Sequence, residues 1–416
     1  MALLIKNIHI VSHEFVSDLQ DILIDGGKIL KIGKNLNFNN VEIVNGEEKY
    51  LLPGIIDPHV HFRTPGQEYK EDFETGSRSA LMGGVTTVLD MPNNVPPIFT
   101  NELLERKRKV VASKSLVNFG LYFGTNGENL EEIKKVKNVP GVKVYMNLTT
   151  GNLKITDEKV LQRIFEVKQR YALHAEGETF NLALKFLLPT NNEIYLCHAS
   201  LKKEVEKVRE LKKQGSKKVF MEVCPHYLFM TAKDREIQGA YCCMKPELAI
   251  EEDRQALWQG IFDGTIDTVG TDHAPHTKAD KEKNPPAFGV PGVEFSLALM
   301  LNSANLAQGG SLGIGANMNS RFQITDVVKL MSYNPARIFG IKNKGEIKVG
   351  FDADLVLVDL NLEKEIRNEN VVSKCGWTPY HGKMCKGWPV MTIRGGEVMM
   401  RNGKIVGKSF GTEVSF

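Results

Sequence analysis

His59 and His61 stand one residue apart in Asp57-Pro58-His59-Val60-His61-Phe62-Arg63, directly after the apolar run Leu51-Leu52-Pro53-Gly54-Ile55-Ile56. On a strand, side chains two apart project from one face, so both imidazoles can reach one metal ion. Arg63 shares that face but cannot be a ligand. Its fixed charge and planar fork of donors suit a carboxylate. Together they point to metal-assisted chemistry on a small acidic substrate. Two histidines in a buried strand can also be incidental, so the inference needs further donors.

Other apolar runs end in such donors. His174 closes Tyr171-Ala172-Leu173-His174, His198 closes Tyr195-Leu196-Cys197-His198, and Asp272 closes Val269-Gly270-Thr271-Asp272. Lys143 lies inside Gly141-Val142-Lys143-Val144-Tyr145. An ammonium cannot bind a metal, and burying it unpaired among apolar residues is costly. A neutral Lys143 that had reacted with carbon dioxide would be a carbamate, whose two oxygens could bridge two cations. The other option is a lysine paired with Asp272 or Glu176. Both stand at this point.

These residues need elements that bring them together. Strand-like runs cover residues 55–61, 85–90, 117–123, 142–146, 171–174, 194–198, 219–223 and 268–271. Helical patterns cover 101–112, 130–136, 157–169, 203–214 and 251–262. Repeated strand–helix units predict a parallel sheet, and eight predict a closed (β/α)8 TIM-type barrel. In such barrels chemistry sits at the C-terminal strand ends, where these ligands fall. An open doubly wound sheet is the competing architecture. No glycine-rich phosphate fingerprint follows the first strand, which argues against its nucleotide-binding version.

Both chain ends read as β-structure. Ile22-Leu23-Ile24 and Lys28-Ile29-Leu30 flank Asp25-Gly26-Gly27, which spells a hairpin turn. Near the other end, Asp354-Leu355-Val356-Leu357-Val358 and the strands around Gly395-Gly396 and Asn402-Gly403 match it. The expected division is a small β-sandwich domain from residues 1–52 plus 345–416 and a catalytic barrel over 53–344. A chain of 416 residues has room for both.

Composition narrows the function classes. A formal charge of +3 does not suggest nucleic acid or an anionic membrane. Lysine-rich runs such as Lys107-Arg108-Lys109 and Lys202-Lys203 read as solvated helix faces. Six scattered cysteines without CxxC spacing fit a reduced cytoplasmic protein. No apolar run is long enough for a bilayer, and the first residues do not read as a signal peptide.

From these motifs the chain resembles the amidohydrolase superfamily and, within it, the dihydroorotases. The segments carrying the resemblance run nearly end to end. They are Asp57 through Arg63, Asp90-Met91-Pro92-Asn93-Asn94, Gly141 through Tyr145, Asp272-His273-Ala274-Pro275-His276 and Phe288-Gly289-Val290-Pro291-Gly292-Val293-Glu294. Asn334-Pro335-Ala336 and Gly350-Phe351-Asp352-Ala353-Asp354-Leu355 add superfamily-wide tail signals. The resemblance implies that His59, His61 and Asp272 hold one zinc and His174 and His198 a second. Carboxylated Lys143 and a hydroxide would bridge them. Asp272 would also be the proton carrier.

The resemblance further implies that Arg63, Asn93 and His276 contact a substrate carboxylate, as in dihydroorotate or N-carbamoyl-L-aspartate. Thr149, in a segment like the family's substrate-covering loop, is a further candidate contact. Two departures bear on substrate contacts. Thr64 stands where the family usually has an acidic residue, and Lys245 lies where asparagine or arginine is common. Lys245 still offers a cation, without the fork. His226 and Asn94 read as structural. The resemblance also implies a homodimer and leaves open docking with an aspartate transcarbamoylase. The rival functions are an allantoinase or dihydropyrimidinase (hydantoinase), and a non-catalytic scaffold.

Overall fold

The computed structural model describes residues 2–148, 153–306 and 322–416. Within them, strands from the two chain ends join one nine-stranded sheet. Leu3–Val11, Val16–Asp25 and Lys28–Gly33 form an antiparallel run. The expected turn is present: Gly26 and Gly27 take φ of 56° and 76°, the left-handed pair that a two-residue hairpin needs. Tyr50–Pro53 pairs antiparallel with Leu355–Glu365, and that pairing ties the first fifty residues to the last seventy. Alternate residues Leu3, Ile5, Ile22, Ile24, Leu355 and Leu357 face one apolar cluster, as period-two packing requires.

All the expected central strands form, each parallel to its neighbour. Ile55–Val60, Val85–Asp90 and Asn118–Leu121 make a three-stranded sheet. Phe123–Gly124, Val142–Tyr145, Arg170–His174, Glu193–Leu196, Val219–Val223 and Thr268–Val269 make a six-stranded one. The expected strand over 117–123 is split at Tyr122, whose hydroxyl donates to Pro58 O at 3.2 Å. One half pairs back to Val85–Asp90, the other forward to Val142–Tyr145. At the opposite edges, His61 N donates to His273 O at 2.8 Å. Asp57 accepts from Thr271 N at 3.0 Å and Thr271 Oγ1 at 2.6 Å. The first and last central strands thus lie side by side.

Helices Asn101–Ala112, Leu130–Lys135, Glu158–Glu166, Lys202–Lys213 and Glu251–Phe262 lie where expected, within three residues at each end. The lysine run Lys107-Arg108-Lys109 needs correction. Lys107 is 1% exposed, and its ammonium pairs with Asp90 and donates to Asn94 Oδ1 at 2.7 Å. It is a buried cation under the strand ends, while its neighbour Arg108 ties Glu413 at 2.8 Å. Helix Phe73–Met82 was not expected, because Gly76, Ser77 and Ser79 interrupt its buried face between Phe73 and Ala80-Leu81. A Cβ on Gly76 would lie 2.8 Å from the Phe62 ring, so the helix packs through an absent side chain. No helix among the described residues is long and apolar enough to cross a membrane.

Candidate metal centre

The strand ends turn sharply where the chemistry-bearing residues stand. Arg63, His198 and Asp272 take φ of 61°, 42° and 46°. The left-handed region is strained for residues with a Cβ, and such strain gathers at functional positions. Here each such residue stands two or three positions beyond its strand's end and itself lines the cavity.

His59, His61, Lys143, His174, His198 and Asp272 line one cavity. All are buried or nearly so. His59 Nε2 lies 3.2 Å from Asp272 Oδ1, and His61 Nε2 lies 2.9 Å from the same oxygen. The other nitrogen of each ring is committed. His59 Nδ1 donates to Glu222 Oε1 at 2.8 Å, and His61 Nδ1 donates to Asn93 Oδ1 at 2.6 Å. A second pair stands beside the first: the His174 and His198 rings are 4.5 Å apart, and His198 is 5.5 Å from His59.

Cation binding needs lone pairs, and the site provides them. His174 Nε2 and both His198 nitrogens are buried with no hydrogen-bond partner. Burial lowers His174 to about 3 and holds His198 well below the ordinary histidine range, so both rings are neutral. Burial likewise lowers His61 to about 4. Burial alone would lower His59 too, but Glu222 and then Asp272 raise it to about 10. That field favours any cation at its Nε2, a proton or a metal alike. For Asp272, burial works against the charged form, but the His59 and His61 contacts outweigh it and hold the carboxyl well below its usual value. Two imidazoles on an ionised carboxylate, with orphaned imidazole nitrogens lining the same cavity, are a fitting donor set for divalent ions such as zinc.

Lys143 settles one alternative. Its Nζ lies 2.9 Å from Cys197 Sγ and 5.4 Å from the Tyr145 ring centre. Among the described residues it forms no ion pair, neither with Asp272 nor with Glu176.

The residues expected to contact a carboxylate adjoin this cluster. Arg63 is 3% exposed and lines the cavity. Its Nε donates to Pro275 O at 3.2 Å, and Nη2 lies 3.2 Å from His276 Nε2. No carboxylate pairs with it among the described residues. Asn93 spends its oxygen on His61, which leaves its amide N–H groups for the cavity. His276 lies behind Arg63, and its backbone carbonyl accepts from Trp377 Nε1 at 2.7 Å. Lys245 is on the cavity wall, but Glu247 holds its ammonium at 2.8 Å. Thr149 lies outside the described residues. His226 is buried against Tyr227 and does not line the cavity, and Asn94 serves Lys107.

Glu222 was missed from sequence. It is fully buried and accepts from His59 Nδ1 at 2.8 Å, His198 N at 3.0 Å and Tyr195 OH at 2.8 Å. Gly270 makes room for it, since a Cβ there would sit 2.4 Å from Glu222 Oε2. The available signal was a carboxylate inside the apolar strand Val219–Val223, the same anomaly that singled out Lys143. Carboxylates that orient a ligand histidine commonly contribute 10–100-fold in metal affinity. Glu222→Gln is therefore expected to weaken zinc binding about 10- to 100-fold, read by competition with a chelator. Unchanged affinity would remove Glu222 from the site's function.

Comparison with known proteins is consistent with this geometry. The amidohydrolase family model matches residues 50–399. A dihydroorotase of Methanosarcina acetivorans is 35% identical, covering 93% of this chain and 90% of its own length. One from Pyrococcus abyssi is 34% identical over 94% and 95%. Among solved structures, an L-hydantoinase (dihydropyrimidinase) from Arthrobacter aurescens superposes with a TM-score of 0.91 at 27% identity, over 100% of this chain and 99% of that one.

Proposed function

The chain belongs to the amidohydrolase family, and from that membership together with the clamp we infer that it is a dihydroorotase. It is a metal-dependent cyclic amide hydrolase that interconverts N-carbamoyl-L-aspartate and L-dihydroorotate in pyrimidine synthesis. The observation that carries the substrate is Arg63, a buried guanidinium facing the cavity with no carboxylate of its own. A buried unpaired charge is costly, and a substrate carboxylate relieves that cost, whereas an uncharged ring does not.

We assign His59, His61 and Asp272 to one zinc and His174 and His198 to another, with carboxylated Lys143 reaching both. Bound there, the cations supply hydroxide near neutral pH and polarise the ring amide carbonyl. The chain's own groups do the rest. Arg63 and Asn93 hold the carboxylate and so turn the ring amide toward Asp272. His276, expected from sequence as a third contact, backs Arg63 with both ring nitrogens engaged by Lys70 and Phe288. As the ring C–N bond breaks, Asp272 passes the proton it has accepted to the leaving nitrogen. In ring closure it removes a proton from the ureido nitrogen by the same path in reverse. Thr149 and Lys245 remain proposed substrate contacts.

The same proposal takes the parallel strands as a closed eight-stranded barrel over 53–344. The terminal sheet becomes a small β-sandwich of 1–52 with 345–416. A homodimer and a cytoplasmic setting belong to it as well, and it leaves association with aspartate transcarbamoylase open.

The hydantoinase-like structural neighbour gives the second reading, a cyclic amidase for uncharged rings. Rates on dihydroorotate, dihydrouracil, hydantoin and allantoin separate the two. Dihydroorotate is expected to be preferred, and preference for an uncharged ring refutes the assignment. Arg63→Lys keeps the charge but loses the fork. A lost charge-assisted bond is worth roughly 1.5–3 kcal/mol, so KM should rise about 10- to 100-fold with metal content unchanged. Steady-state kinetics with metal analysis checks this, and an unaltered KM contradicts the clamp.

A further inference from the structure

Arg63 and Asn93 account for the carboxylate and His276 backs Arg63, yet a second buried cation stands behind them without a task. Lys70 is 6% exposed and makes no ion pair among the described residues. Its one polar contact there is His276 Nδ1, 3.2 Å from the ammonium. An ammonium has donors only, so Nδ1 must accept. The ring proton then belongs on Nε2, which lies 2.9 Å from Phe288 O, an atom that can only accept. Two neighbours on opposite sides of the ring impose the same tautomer. The ring is also kept uncharged, since burial and the flanking Arg63 and Lys70 hold it well below the ordinary histidine range.

The tautomer matters because of Arg63. Its Nη2 lies 3.2 Å from His276 Nε2. Were the proton on Nδ1, Nε2 would offer a lone pair, and the guanidinium would satisfy itself on the ring. With the proton on Nε2, both groups are donors, and the fork stays available to a ligand.

We propose that Lys70 is a positioning residue of the carboxylate clamp. By occupying His276 Nδ1 it fixes the Nε2–H tautomer and so keeps the Arg63 fork free for the substrate carboxylate. The consequence for kinetics rests on the dihydroorotase reading, whereas the tautomer control does not.

The test uses zinc-loaded full-length protein labelled with 15N-histidine, with the His276 ring signals assigned by their loss in His276→Asn. The wild-type ring is expected to show a bare Nδ1 and a protonated Nε2. Lys70→Met should shift the proton toward Nδ1. It should also raise KM for dihydroorotate about tenfold, the effect of one weakened charged hydrogen bond, with kcat changed less than about threefold. Lys70→Arg restores a donor and should rescue both readouts, which a merely structural role would not predict. A wild-type proton on Nδ1, or a tautomer indifferent to Lys70→Met, overturns the proposal whichever ring the enzyme opens. A loss of kcat that Lys70→Arg does not rescue overturns it too. Tautomer control in a protein inert toward dihydroorotate supports the role of Lys70 and overturns the functional reading alone.

Discussion

Lys143→Ala is expected to strip the protein of its metal and nearly all turnover while leaving the fold in place. Lys143 is fully buried on the strand Val142–Tyr145, against a thiol and a phenol ring. A fold that needed an ammonium there would supply a carboxylate, and among the described residues it supplies none. On the proposed reading the side chain serves as a carbamate that would help hold both cations, and alanine would remove it without breaking any ion pair among the described residues. Turnover should drop at least about 10²–10⁴-fold, the span of a lost electrostatic or proton-transfer group. Circular dichroism should match wild type, and elemental analysis should find little zinc. Short carboxylic acids that fit the gap should restore part of the activity. Full metal content in the variant would contradict the bridge, and absence of any rescue would weaken the carbamate.

Asp272→Asn carries the second large effect, through a different cause. The carboxylate is held ionised against its own burial by His59 and His61, so it is ready to accept a proton. An amide keeps an oxygen for the metal but cannot take up and return a proton. kcat should fall about 10²- to 10⁴-fold, while KM and the zinc bound by the other ligands change little. Single-turnover kinetics with metal analysis separates this from metal loss. Activity within tenfold of wild type would transfer the proton-carrying role elsewhere.

The ligand set was legible because its members break a local rule: each is a polar side chain at or beside the end of an apolar strand. His59, His61, His174, His198 and Asp272 meet around one cavity for that reason. Glu222 breaks the same rule, but nothing in a single strand shows that a histidine waits across the sheet. Lys107 looked solvated because it sits among like charges, and its partner Asp90 is known only once the chain has folded. Helix Phe73–Met82 hid because Gly76 and two serines break the apolar period between Phe73 and Ala80-Leu81 on its buried face. Its start was nonetheless written in Asp72, which caps the helix through Glu74 N and Thr75 N. Strand boundaries drifted where pairing is shared between two neighbours, as at Tyr122.

The contact between Trp377 and the backbone of His276 bears on how freely this enzyme could be taken apart. Lys374 likewise grips Glu68 O at 2.8 Å, and Ser373 hydrogen-bonds to Glu71. Residues 373–377 thus brace two distant stretches, 68–71 and His276, which meet behind Arg63. If Arg63 reads the substrate's acid, as proposed, a core excised before residue 345 would keep the polar strand ends and lose that bracing.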